Sequence, residues 1–277
     1  MASLNKLPPF SPVLNRLLAT LASEDISFAK VADLIEKDVV LAGSVLGIVN
    51  SALFARRAKV NSVRHAVSLL GVDKLRNAAL GMSITRLWGK VRTPPGWSMA
   101  AFNLHAIGTA ILSDLLSQEA AVAYPEGAFV AGLLHDFGLL LIAIGLPDAY
   151  TEIERLCVKE GLTGVESEMQ VLGFTHAEMS AEVLHTWNLP EPIQIAARYC
   201  MDPESDRTVT EFGQHPLSQV VSLADAYVNR LNIRIHTGIR PLDRNIELDI
   251  AALKLESHIA RMLEEFTTEY GAIKDLI

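Results

Sequence analysis

Cysteine is almost missing from this chain: Cys157 and Cys200 are the only two among 277 residues. Two thiols so spaced build neither a disulfide framework nor a zinc-knuckle, and such usage fits a reducing cytoplasm, where the protein is expected to reside. Positive charge is also in deficit. Lysine and arginine number 24 against 32 aspartates and glutamates, and the formal net charge is -8. That balance argues against broad electrostatic binding to nucleic acid or anionic lipid. Long apolar runs are scarce as well. FVAGLLHDFGLLLIAIG, Phe129–Gly145, is the sole candidate for a membrane span. It is short of the roughly 20 residues a span needs, and Asp136 sits at its centre, so a buried core helix is expected instead. The opening MASLNKLPPFSPVL has prolines and polar residues where a secretory signal would be apolar, and no signal is expected there. Repeats and low-complexity segments are lacking. So is convincing strand alternation, apart from short pieces near Arg234–Ile239.

What remains is helix nearly throughout. In SFAKVADLIEKD, Phe28, Val31, Leu34, Ile35 and Val39 recur at spacings of three and four, with Ser27 as N-cap. VVLAGSVLGIVNSALF follows Asp38. SVRHAVSLLG is a short helix from Ser62, closed at Gly71, and DKLRNAALGMSITRLW continues after a short turn. KVRTPPGW carries two prolines and a glycine and is the best candidate for a boundary. FNLHAIGTAILSDLLSQEAAVA, THAEMSAEVLHTWNLP and LSQVVSLADAYVNRL are further helices, DPESDRTVTEFGQHP is a polar loop, and the tail from Leu248 is amphipathic. The expected fold is all-α: an N-terminal helical bundle over residues 1–93 packed on a helical core over residues 94–277.

Four polar residues interrupt apolar helical segments: His105, the adjacent His135 and Asp136, and Asp225. A carboxylate buried without a partner or a metal costs several kcal/mol, roughly. Imidazole nitrogens and carboxylate oxygens together suit a divalent transition metal such as iron, manganese or zinc. A His-Asp dipeptide alone is weak evidence, because helices far apart in sequence must converge to build such a site.

A histidine, a His-Asp pair some thirty residues on and a late aspartate in LADAY together resemble the HD superfamily of metal-dependent phosphohydrolases. LPPFSPVLNRLL, NSALF (Asn50–Phe54), SVRHAVSLLG and AGLLHDFG (Ala131–Gly138) together resemble its HDOD branch, the HD-related output domain of bacterial signalling proteins. The resemblance implies that His105, His135, Asp136 and Asp225 are the metal-binding quartet. His176, in THAEMSAEVL, matches a further histidine of the related HD-GYP phosphodiesterases and is the weaker ligand candidate. Those enzymes carry a His-His pair where this chain has Tyr199-Cys200, and their GYP segment has no counterpart. The lysine that commonly follows the HD glycine is Leu139 here. A lysine there would stabilise charge on a transferred phosphoryl group.

Two readings of the quartet follow. It is either a buried polar cluster whose members satisfy one another by hydrogen bonds, or a metal site. His176 has an ordinary alternative as a capping or surface histidine, His185 as a partly exposed one, and Cys200 as a small buried hydrophobe. Asn50-Ser51 is expected to form a turn rather than bind a ligand. HAVSLLGVDKLRNAAL has the outline of a helix-turn-helix, but Lys74, Arg76 and Arg86 are too few for DNA binding. The function expected is a signalling or regulatory module with a degenerate HD site, bound by an unidentified signalling protein or a small ligand such as a nucleotide. The rival is a metal-dependent phosphohydrolase of nucleotides or other phosphate esters, with Asp136 as its catalytic base.

Overall fold

The computed structural model describes residues 11–22, 27–50, 60–88, 91–236, 239 and 241–274. Among them every regular element is a helix, and the one β-bridge joins Val122 to His215. The pieces near Arg234–Ile239 form no strand among the described residues. The chain divides into two units, one of residues 8–91 and 267–277, the other of residues 1–7 and 92–266.

The first unit contains α1 (Pro12–Ala19), α2 (Phe28–Glu36), α3 (Val39–Val49), α4 (Val63–Leu70) and α5 (Val72–Trp88). Its helix starts follow from local chemistry. Ser11, Ser27 and Ser62 each accept a hydrogen bond from the backbone N–H three residues on, satisfying a donor that the helix leaves unpaired. Gly71 ends α4 at φ +86°, a conformation that favours glycine. Leu17, Val31, Ile35, Leu75 and Ile84 form the buried interior of this unit. The Asn50 amide donates to the carbonyls of Leu46 and Val60 and accepts from the Val60 N–H, so the side chain ties the end of α3 to Val60. Ser51 and the rest of NSALF lie outside the described residues.

The second unit begins with α6 (Met99–Glu119), α7 (Ala128–Leu134), α8 (Phe137–Gly145), α9 (Pro147–Glu160) and α10 (Gly164–Leu172). It continues with α11 (His176–Thr186), α12 (Glu191–Tyr199), α13 (Leu217–Arg230) and α14 (Ile246–Ala252). The last helix, α15 (Ile259–Lys274), carries residues assigned to each unit. α6 packs along α7 and α13, and α11 packs along α8 and α12. Two glycines permit the closest approaches. A Cβ on Gly132 would stand 2.7 Å from the Thr109 carbonyl oxygen of α6. A Cβ on Gly138 would stand 2.0 Å from the His176 carbonyl oxygen of α11. Neither position admits a side chain without backbone movement.

The long apolar run Phe129–Gly145 is not one helix, as its composition suggests, but parts of two. α7 ends at Leu134, α8 starts at Phe137, and His135 and Asp136 occupy the break. The side chains cause it by taking backbone groups out of the helical ladder. The His135 ring donates from Nδ1 to the Gly132 carbonyl at 2.7 Å. Ser180 of α11 donates to the His135 carbonyl at 2.6 Å and accepts from the Gly138 N–H at 2.8 Å. The Leu139 N–H consequently turns to the Asp136 carbonyl, three residues back. By length and composition Phe129–Gly145 is not the sole candidate for a membrane span: Met99–Glu119 as well as Pro125–Gly145 could cross one, yet their apolar windows are 72% and 94% buried inside the protein. They are its core.

Candidate metal centre

Three segments bring the quartet together. His105 comes from the middle of α6, His135 and Asp136 from the α7–α8 break, and Asp225 from α13. One ligand atom from each of the four lies within 4.8 Å of every other. His105 Nε2 is 3.3 Å from Asp136 Oδ2 and 3.1 Å from Asp225 Oδ1, and His135 Nε2 is 3.2 and 3.6 Å from the same atoms. Ligands about 2.1 Å from one ion at angles near 90–110° stand roughly 3.0–3.5 Å apart, so the spacing fits a shared cation.

The unused atoms are the ones that point inward. His105 donates from Nδ1 to the Ile233 carbonyl at 2.9 Å, as His135 does to Gly132. A carbonyl can only accept, so both rings carry the proton on Nδ1 and present Nε2 to the centre. Neither Nε2 closes a hydrogen bond of ordinary angle, despite the nearby carboxylates, and Asp136 Oδ1 has no partner either. Buried polar atoms are seldom left so.

His176 is neither a cap nor a surface residue. Thr175 is the cap of α11, with Glu178 completing a capping box, and His176 is buried. Its Nε2 is 3.2 Å from Asp136 Oδ1 and has no hydrogen bond. Its Nδ1 and its backbone N–H both donate to Glu168 of α10, at 2.7 and 2.8 Å. Glu168 is a buried carboxylate that the sequence does not advertise; VESEMQ reads as an ordinary helix start, and its partner is eight residues away. His185 is exposed and shares a hydrogen bond with Gln194. Cys200 lines the same cavity as the cluster, whereas Tyr199 is not among its lining residues.

Charge in the cluster is strongly coupled. Burial alone would lower the two histidines, but Asp136 and Asp225 outweigh it and raise His105 to about 10 and His135 to about 9. Burial would raise the carboxyls, and the imidazoles outweigh it in turn: Asp136 lies well below its usual range and Asp225 falls to about 2. Burial pushes the Cys200 thiol well up, with Asp136 and Asp225 adding to it. Two ionised carboxylates in this core therefore call for positive charge, from protons on Nε2 or from a cation in their place.

Above the cluster lies a cavity of about 530 Å³, reached by His105, Asp136, His176 and Asp225. An all-α fold with a His-Asp pair at a helix break and a histidine–carboxylate cluster facing a cavity defines an HD-type protein. The HDOD domain model matches residues 7–203. The chain belongs to the HDOD family.

Solved structures share the fold. An HDOD domain protein of unknown function from Geobacter sulfurreducens superposes with a TM-score of 0.75 at 24% identity, covering 94% of this chain and 92% of that one. A proposed phosphohydrolase from Shewanella amazonensis SB2B gives 0.74 at 22% identity, with 99% and 97% covered. A proposed signal transduction protein from Marinobacter aquaeolei VT8 gives 0.72 at 24% identity, with 98% of this chain and 58% of that one covered. An uncharacterized protein of Treponema pallidum (strain Nichols) is 22% identical over 199 residues, which are 71% of this chain. The match spans only 38% of that relative's length.

Proposed function

We propose that this chain is a cytoplasmic bacterial signalling or regulatory HDOD module that holds one divalent cation in its HD cluster without turning a substrate over. One observation carries the reading. The Nδ1–H of each cluster histidine is tied to a fixed acceptor, which leaves inward-facing Nε2 atoms unsatisfied in a buried, doubly anionic site. His105, His135, Asp136 and Asp225 would hold the ion, with His176 oriented by Glu168 as an additional donor. Iron, manganese and zinc all suit this donor set. The cation would neutralise the carboxylates and give a ligand in the cavity a Lewis-acidic contact. Input then comes from the ion, a small ligand such as a nucleotide, or a signalling protein. Neither DNA nor a membrane is a proposed partner.

The cavity reaching the cluster favours a second reading, a metal-dependent phosphohydrolase. In it Asp136, or a water it orients, is the general base. Against turnover, Leu139 lines the cavity where a cation near the reacting group would help, and supplies no charge. A phosphatase and phosphodiesterase panel with added manganese or iron separates the readings. The regulatory reading expects no turnover above the Asp136→Ala variant. Hydrolysis abolished by that substitution would establish the enzyme instead.

A further inference from the structure

Among the described residues three arginines line the cavity, and two of them are engaged. Arg230 donates to Glu247 at 2.7 Å, and Arg244 pairs with Asp249 at 3.0 Å and donates to Ser222. Arg234 differs. Its Nε donates to the Asn229 carbonyl at 3.0 Å, while its two terminal nitrogens meet no acceptor among the described residues. The side chain is half-buried, so this is not a freely solvated surface cation.

Its position is set by the same contacts that support the metal cluster. The Asn229 amide donates to Asp225 Oδ1 at 2.8 Å, and the carbonyl of Ile233 accepts from His105. Arg234 therefore sits one residue from the support of one ligand and hangs on the partner of another. A guanidinium fixed at Nε with both terminal nitrogens open matches an oxyanion bidentately. Facing the same space are apolar side chains of Ile153, Val165, Leu242 and Ile246. The volume is that of a small-molecule site rather than a solvent pit.

We propose that the cavity binds a small organic oxyanion, its phosphate or carboxylate head on Arg234 and its apolar body against those four side chains. The inference rests on reading the cavity as a ligand site, and it stands whether or not the cluster holds a cation.

Isothermal titration of the full chain with phenyl phosphate, benzoate and uncharged benzyl alcohol tests it, on manganese-loaded and on EDTA-treated protein. At least one anion should bind at least roughly tenfold more tightly than the alcohol, and Arg234→Gln should lose roughly 10- to 100-fold for that anion in both states. Arg234→Lys, which keeps a point charge and loses the fork, should recover part of the loss and carries the test if the glutamine variant does not fold. The tighter of the two anions identifies the head group. Unchanged affinity in both Arg234 variants, or no preference for either anion over the alcohol, overturns the proposal. Identical binding with manganese and EDTA, alongside a loss in Arg234→Gln, would count against the metal contact and leave the oxyanion site standing.

Discussion

In the unit of residues 8–91, Ser11, Ser27, Ser62 and Asn50 work at helix ends, while Arg76, Asn77 and Thr85 are buried within α5. Ser11, Ser27 and Ser62 accept from backbone N–H groups that a helix start leaves unpaired, and the Asn50 side chain ties the end of α3 to Val60. In the unit of residues 92–266, His105 within α6, His135 and Asp136 at the α7–α8 break and His176 at the start of α11 are buried, and inward atoms of each lack a hydrogen bond. The first kind of placement repairs a deficit that the helix itself creates. The second creates a deficit that the fold does not need. A helical core is easily closed with apolar side chains, so a buried cluster of imidazoles and carboxylates with inward atoms that lack a hydrogen bond supports the metal-holding role proposed above.

The contrast can be broken most forcefully at the helix junction. Gly138→Ala would push a methyl group into the His176 carbonyl and disturb both α8 and α11. We expect a loss of about 3 kcal/mol or more in denaturant unfolding. A loss under about 1 kcal/mol would mean that the junction is looser than described.

Acid should act on the cavity wall. His236 contacts the Tyr150 hydroxyl and the Trp97 ring, and burial pushes it down to about 4. A histidine depressed in the fold contributes stability that is present above its unfolded value, near 6.5, and is lost as pH falls through about 4. The change is worth up to about 3 kcal/mol between those limits. Unfolding midpoints at pH 7 and pH 4.5 should therefore diverge less in His236→Gln than in the parent. An unchanged slope contradicts the assignment.

The support of His176 can be loosened without deleting a ligand. Glu168→Gln removes the carboxylate that receives both the ring and the backbone N–H of His176. We expect about a tenfold loss of manganese affinity in a competition titration, the range typical of groups that orient metal ligands. No change would remove His176 from the site. The smallest effect belongs to the other unit: Ser62→Ala deletes one cap, should cost about 1 kcal/mol of stability, and should leave bound metal unchanged. Altered metal content there would blur the distinction between the two kinds of polar residue.

Local signals made much of this legible in the sequence. Caps at Ser27 and Ser62 and the closure at Gly71 depend on neighbours three to nine residues away, and the periodicity of the apolar residues placed the helices between them. The quartet was visible because each member interrupts an apolar segment. The break at His135–Asp136 was not, since it is made by Ser180, 45 residues later in contact with the His135 carbonyl. Glu168 and Arg234 were hidden for the same reason. Each reads as a solvated charge on its own helix or loop, and only packing shows that one is buried against His176 and the other faces the cavity.

Elemental analysis of protein purified without chelator, then dialysed against metal-free buffer, tests the central claim most directly. The account predicts close to one equivalent of iron, manganese or zinc per chain, falling to background in Asp136→Ala protein that remains folded. Parent protein without metal, and unable to take up any of the three when they are supplied, would contradict it.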